Sequence, residues 1–181
     1  MSTLRVGNLT AVGGTGTITV PVNNTLTQTG AILQVVSTTK TDSFSGTLNG
    51  GSELEITGLN VSITPKFSSS KILVQCNLVK YYWGNVTLKR DSTAICIGDA
   101  AGSRSRVSAT SGGGSSASIA NSGSILFLDS PNTTSQISYK VFLQSTNSNA
   151  VTVYVNRSET DTDNTYFGRY ASTITVLEVA G

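Results

Sequence analysis

The chain has 181 residues, a formal net charge of +2, only 12% charged residues and no histidine. Ser and Thr supply 52 residues and apolar types 38%, which is enough for a core and excludes global disorder. The twelve basic residues are scattered, against a nucleic-acid surface, and no apolar run nears the roughly 20 residues of a membrane span, against membrane insertion.

Residues 1–30 read apart from the rest. Thr3–Val6 and Thr17–Val20 suggest two short strands around a glycine break at 13–16, with Pro21 stopping the second. Two such strands cannot bury a core alone. Residues 1–30 are therefore expected to be an N-terminal arm, and residues 31–181 the folded module. No secretory h-region opens the chain, so assembly in the cytoplasm is expected.

From Ala31 the apolar period is two. Ile32–Thr38 reads as a strand, followed by a short segment at Phe44. Leu54 and Ile56 alternate with Glu53 and Glu55; after Gly58 the phase flips to Leu59, Val61 and Ile63, which indicates a β-bulge. Lys71–Tyr82 places Ile72, Val74, Cys76 and Leu78 on one face. Asn85–Arg90 and Ala94–Ile97 form an apparent hairpin around Asp91–Ser92. Residues 100–124 read as a long polar loop, and Ile125–Leu128 as a strand. Ile137, Tyr139, Val141 and Leu143, then Val151, Val153 and Val155, give the clearest alternation. Residues 156–169 form a second polar loop. In Ser172–Val179, Ile174 and Val176 face one side and Leu177 and Val179 the other, so this strand is expected to be covered twice. Cys76 and Cys96 are expected to be free thiols acting as small hydrophobes. About ten strands at short spacing imply an all-β sandwich, and a jelly roll is the architecture expected.

The blocks Ile56–Val74, Leu88–Arg106, Leu128–Ser135 and Tyr154–Val179 resemble, in the same order, C-terminal modules of tail-fibre and other virion appendage proteins of tailed bacteriophages of cyanobacteria and marine bacteria. The resemblance spans about residues 31–181. It implies a compact β-sandwich of the tumour-necrosis-factor/C1q type, a homotrimer and a place on the virion. It carries over no ligand-binding residues.

The chemistry the residues allow is limited. Without histidine the usual Ser/His/Asp and Cys/His systems are excluded. Glu159, Asp161 and Asp163 lie on one loop at i, i+2 spacing, which suits a solvated loop or a weak Ca²⁺ site better than an opposed acid and base, with the surface loop as the default reading. The stretch also lacks the Gly and terminal Glu of an EF-hand. No enzyme, metal or cofactor is expected. Tyr81, Tyr82 and Trp83 are the foremost binding candidates, because aromatic planes stack on sugar rings and carry a hydrogen-bonding edge. Arg104 and Arg106 could meet anionic surface sugars. Tyr166, Phe167 and Tyr170, beside Arg157 and Arg169, are read as interface or core. The expected function is host attachment by a tail-fibre or appendage component that binds surface polysaccharide, with residues 1–30 docking it to other virion proteins. The alternative is a capsid or neck decoration protein with no host ligand.

Overall fold

The computed structural model describes residues 28–81, 84–111, 120–145 and 148–181. The expected strands at Thr3–Val6 and Thr17–Val20 lie outside these residues, as do Tyr82, Trp83 and most of the Gly/Ser run. The described residues form eleven strands and no helix: β1 (Ile32–Lys40), β2 (Phe44–Leu48), β3 (Glu53–Ile63), β4 (Lys71–Tyr81), β5 (Gly84–Arg90), β6 (Thr93–Ile95), β7 (Ala109–Ser111), β8 (Asn121–Asp129), β9 (Ile137–Gln144), β10 (Val151–Val155) and β11 (Ser172–Val179).

All pairings are antiparallel and fall into two sheets. One runs β1–β11–β4–β8, with β10 and β2 continuing beside the far end of β4. The other runs β3–β9–β5, with β6 and β7 both on the open side of β5. Outermost pairs with outermost, then inward: β1 with β11, β3 with β9, β4 with β8, β5 with β6. That nested order is a jelly roll, reached from strand pairing alone.

The period-2 residues explain the layers. Ile72, Val74, Cys76, Leu78, Ile174 and Val176 project from the first sheet onto Leu59, Val61, Ile63, Tyr139, Val141 and Leu143 of the second, all nearly or fully buried. Each large side chain so buried contributes about 1.5–3 kcal/mol. The phase flip at Gly58 is a bulge: β3 loses register with β9 between Glu55 and Asn60, and Gly58 has a φ of 82°. Polar pins tie the layers together. Asp129 on β8 accepts from Arg90 Nη1 at 2.8 and 2.9 Å and from the buried Tyr139 hydroxyl at 2.7 Å. Burial and then this carboxylate push the Tyr139 pKa up.

Two expectations need correction. Residues 100–124 are not one loop, since β7 and the first half of β8 lie within it. Ser122, Gly123 and Ser124 carry no apolar alternation; pairing with β4 makes them strand, with Ser124 opposite Asn77 and Ser122 opposite Val79. The hairpin strand β6 also ends at Ile95, where Cys96 turns the chain with a φ of 54°. Cys96 is half-buried rather than core, whereas Cys76 is buried and its thiol is pushed up to about 12.

The outer face of the first sheet is graded along the strands. One row crosses all four strands as Val35, Leu177, Leu73 and Leu128. The next is Ser37, Thr175, Gln75 and Leu126, followed by Thr39, Thr173, Asn77 and Ser124. At the opposite end Tyr81 pairs with Tyr154.

Candidate functional site

The segment from Asn156 to Ala171 begins where β10 leaves that aromatic end, and a buried residue fixes it. Asn156 is fully buried with a φ of 60°, a left-handed conformation that Asn tolerates better than most residues. Its amide nitrogen donates to the carbonyls of Lys40 at 2.8 Å and Asp42 at 3.1 Å. Its side-chain oxygen accepts from the Ser172 hydroxyl at 2.6 Å, which itself accepts from the Val79 amide. The backbone N–H of Asn156 donates to Val79, and its carbonyl accepts from Tyr170. Both ends of the loop are thereby stitched to β1 and β4, and an Arg157–Arg169 bridge closes its neck.

Above this anchor the charged and aromatic side chains interlock. The Tyr81 and Tyr154 rings stand 6.2 Å apart, tilted by 51°. The Arg157 guanidinium lies over Tyr154 at 4.7 Å and donates to the carbonyls of Ser158 and Glu159. The Tyr81 hydroxyl donates to Glu159 at 2.7 Å. Asp161 pairs with Arg157 at 3.1 Å and with Arg169. The Arg169 hydrogen bond, helped by both guanidinium charges, holds the Asp161 carboxyl below the usual range against some desolvation.

Asp161, Thr162, Asp163, Asn164, Phe167 and Arg169 line an open polar cavity of about 290 Å³. Asn164 shapes its wall by accepting from the Tyr166 and Phe167 amides. Tyr166, next to Phe167 in the chain, is 79% exposed. The Tyr170 ring packs onto Gly168, where a Cβ would stand 2.5 Å from the Tyr170 hydroxyl, so a larger residue would displace that ring. Beneath the aromatic end Lys80 is buried and donates to the Gly84 carbonyl at 3.2 Å. Burial lowers its pKa to about 8.

Of the sequence candidates, Tyr81 belongs to this cluster, and Tyr82 and Trp83 follow it in the chain but lie outside the described residues. Arg104 and Arg106 sit on a different loop, at the edge of the second sheet. Arg106 donates to Gly98 at 2.7 Å and Arg104 to Ala101 at 3.5 Å, so each guanidinium braces its own loop. Of the residues that line the cavity, the sequence reading gave Asp161 and Asp163 to a solvated loop and Phe167, beside Arg169, to interface or core, and it did not single out Thr162 or Asn164. The Tyr166–Tyr170 aromatics, read there as interface or core, include the exposed Tyr166. The available signal was the clustering of Asp, Asn, Arg and aromatic residues between two strands.

No protein-family description matches the chain, and no curated protein matches its sequence. Among solved structures it is similar to the infectious bursal disease virus VP2 subviral particle, at 13% identity and a TM-score of 0.43, covering 91% of this chain and 42% of that one. T=1 particles derived from the same virus give 14% identity and a TM-score of 0.42, with 91% and 40% covered. The Gx strain of the virus gives 14% and 0.42, with 91% and 45% covered. The chain thus spans less than half the length of each of these neighbours.

Proposed function

We propose that the chain is a non-enzymatic structural protein of a virus particle, an appendage or tail-fibre component that attaches to host surface glycan through the 156–171 loop. The observation that carries this reading is the cavity of that loop. Its Asp, Asn, Thr and Arg groups surround a space of monosaccharide scale, with Phe167 in the lining and the exposed Tyr166 next to Phe167 in the chain. Sugars need two things of a site, an aromatic plane for their C–H faces and fixed polar groups for their hydroxyls. The buried Asn156 anchor and the two guanidinium groups on Asp161 hold the polar groups in place before any ligand arrives, which reduces the ordering cost of binding. The sequence resemblance to phage appendage modules supports the setting. Repetition of weak contacts over a multivalent particle would turn them into durable adhesion.

Full-length protein applied to an array of bacterial surface polysaccharides tests the reading. The expected outcome is saturable binding to a subset of glycans, weakened about tenfold or more by Tyr166→Ala with unfolding unchanged. Absence of binding to every polysaccharide overturns attachment. It would favour the second reading, a capsid or neck decoration protein, for which the charge-poor outer face of the first sheet speaks.

A further inference from the structure

The loop that holds the cavity spends its charges unevenly. Residues 156–171 carry three carboxylates, Glu159, Asp161 and Asp163, against two guanidinium groups, Arg157 and Arg169. The loop is therefore net negative, opposite in sign to the chain as a whole at +2. Both cations are already engaged. Arg157 reaches Asp161 Oδ2 at 3.1 Å, lies over Tyr154 at 4.7 Å and donates to two carbonyls of its own loop. Arg169, in the cavity lining, pairs with the other oxygen of Asp161. Asp161 thus turns both oxygens to the protein, and an incoming anion meets an Arg169 whose charge is already offset.

Asp163 is placed differently. It lines the same cavity, is exposed, and its carboxylate makes no hydrogen bond or ion pair among the described residues. Asn164 beside it accepts the Tyr166 amide on its side-chain oxygen at 3.0 Å, which leaves the side-chain nitrogen to donate. The Thr162 hydroxyl can do either. A carboxylate with its lone pairs free, an amide donor and a hydroxyl suit a ligand rich in hydroxyl groups, because an ionised acceptor takes O–H donors strongly and several at once. A carboxylate on the ligand meets the opposite situation. It enters a space whose unpaired charge is negative, and like charges a few ångströms apart near a protein surface cost about tenfold in affinity or more.

We infer that the cavity takes uncharged, hydroxyl-rich sugar units and turns away uronic acids and other acidic saccharides, with Asp163 as the residue that makes the choice. This rests on the glycan reading of the same loop and names the class of glycan it accepts. Arg104 and Arg106 do not reverse the preference, since they lie on another loop and brace it through its own carbonyls. Selection of this kind works by exclusion as much as by attraction: the same free carboxylate that accepts sugar hydroxyls repels a charged competitor of similar shape.

The test compares each polysaccharide with itself. Neutral polymers of the polysaccharide array, mannan, galactan and glucan among them, are oxidised so that C6 hydroxymethyl groups become carboxylates. Full-length wild type and Asp163→Asn are then titrated against both forms. Asp163 is exposed, so the isosteric change leaves the fold intact; circular dichroism checks this, and Asp163→Ser replaces it if it does not. Wild type is expected to bind one or more neutral polymers and to lose about tenfold or more in affinity on oxidation. In Asp163→Asn the neutral form should bind about threefold weaker, and the loss on oxidation should shrink to about threefold or less. Loss of a contact to the C6 hydroxyl would persist in the variant, so the shrinkage isolates charge. Wild-type binding to the oxidised form as tight as to the neutral one, or binding confined to acidic polysaccharides, overturns the inference and leaves attachment standing. An oxidation penalty unchanged in the folded variant overturns it equally. Absence of binding to every polymer, neutral or acidic, overturns attachment and the inference with it.

Discussion

The two ends of one sheet face do opposite things with the same backbone. At the Leu177 end, the row Val35–Leu177–Leu73–Leu128 offers area and shape with no hydrogen-bonding group, and the polar chemistry is turned inward. There Glu178, fully buried, accepts from Gln34 Nε2 at 2.5 Å and from the Lys66 amide at 2.7 Å. At the Tyr81 end the outward groups are two phenols, a guanidinium and carboxylates locked by one another, on a loop that the buried Asn156 aims. Apolar contact needs no orientation, so the first end rests on strand register alone. Directional contact needs each group held, so the second requires a dedicated anchor beneath it. The lesson is that buried polar residues here sit beneath both ends of the face and fix what the surface presents.

Breaking the anchor should separate the two ends most sharply. Asn156→Ala removes three side-chain hydrogen bonds from a fully buried, left-handed position. It is expected to cost about 3 kcal/mol in urea unfolding and to abolish glycan binding. Glu178→Gln probes the other end and should cost about 2 kcal/mol at neutral pH. Burial raises the Glu178 pKa, but hydrogen bonds, those from Gln34 and the Lys66 amide among them, outweigh it and leave it lowered. A lowered carboxylate stabilises above its unfolded value of about 4.5 and loses that contribution as pH falls through the folded value. The gap between wild type and Glu178→Gln should therefore shrink on acidification, read by urea midpoints from pH 7 downward.

The smallest effect belongs to Lys80. Its folded pKa of about 8 lies below the ordinary 10.5, so between these values the unfolded chain binds more protons than the folded one. Its contribution to stability must rise with pH across that window, by about 1 kcal/mol once relaxation of the site is allowed for. Lys80→Met should flatten the rise, measured by urea unfolding between pH 7.5 and 10.5. A slope identical in wild type and variant would show that the amine is solvated.

Strand-borne features were legible because alternation is a local property. Ile137–Leu143, the bulge at Gly58 and the two-faced β11 follow from side chains reversing every residue, and the structure places each as expected. Ser122–Ser124 were illegible for the converse reason, having no apolar partner set of their own and owing their strand to β4. The candidate site was legible in part. Tyr81 could be picked as aromatic, but its hydroxyl is already engaged by Glu159 across 78 positions of sequence. Arg104 and Arg106 looked like a pair for anions, yet each carbonyl contact lies within its own loop.

By itself, then, the sequence determined an all-β sandwich without histidine chemistry, because composition and a period of two act residue by residue. Only the tertiary structure decided the nested strand order, the apolar row that four separate strands assemble in register, and the loop cavity held by Asn156. Each of these depends on bringing together residues far apart in the chain, and no local pattern encodes that proximity.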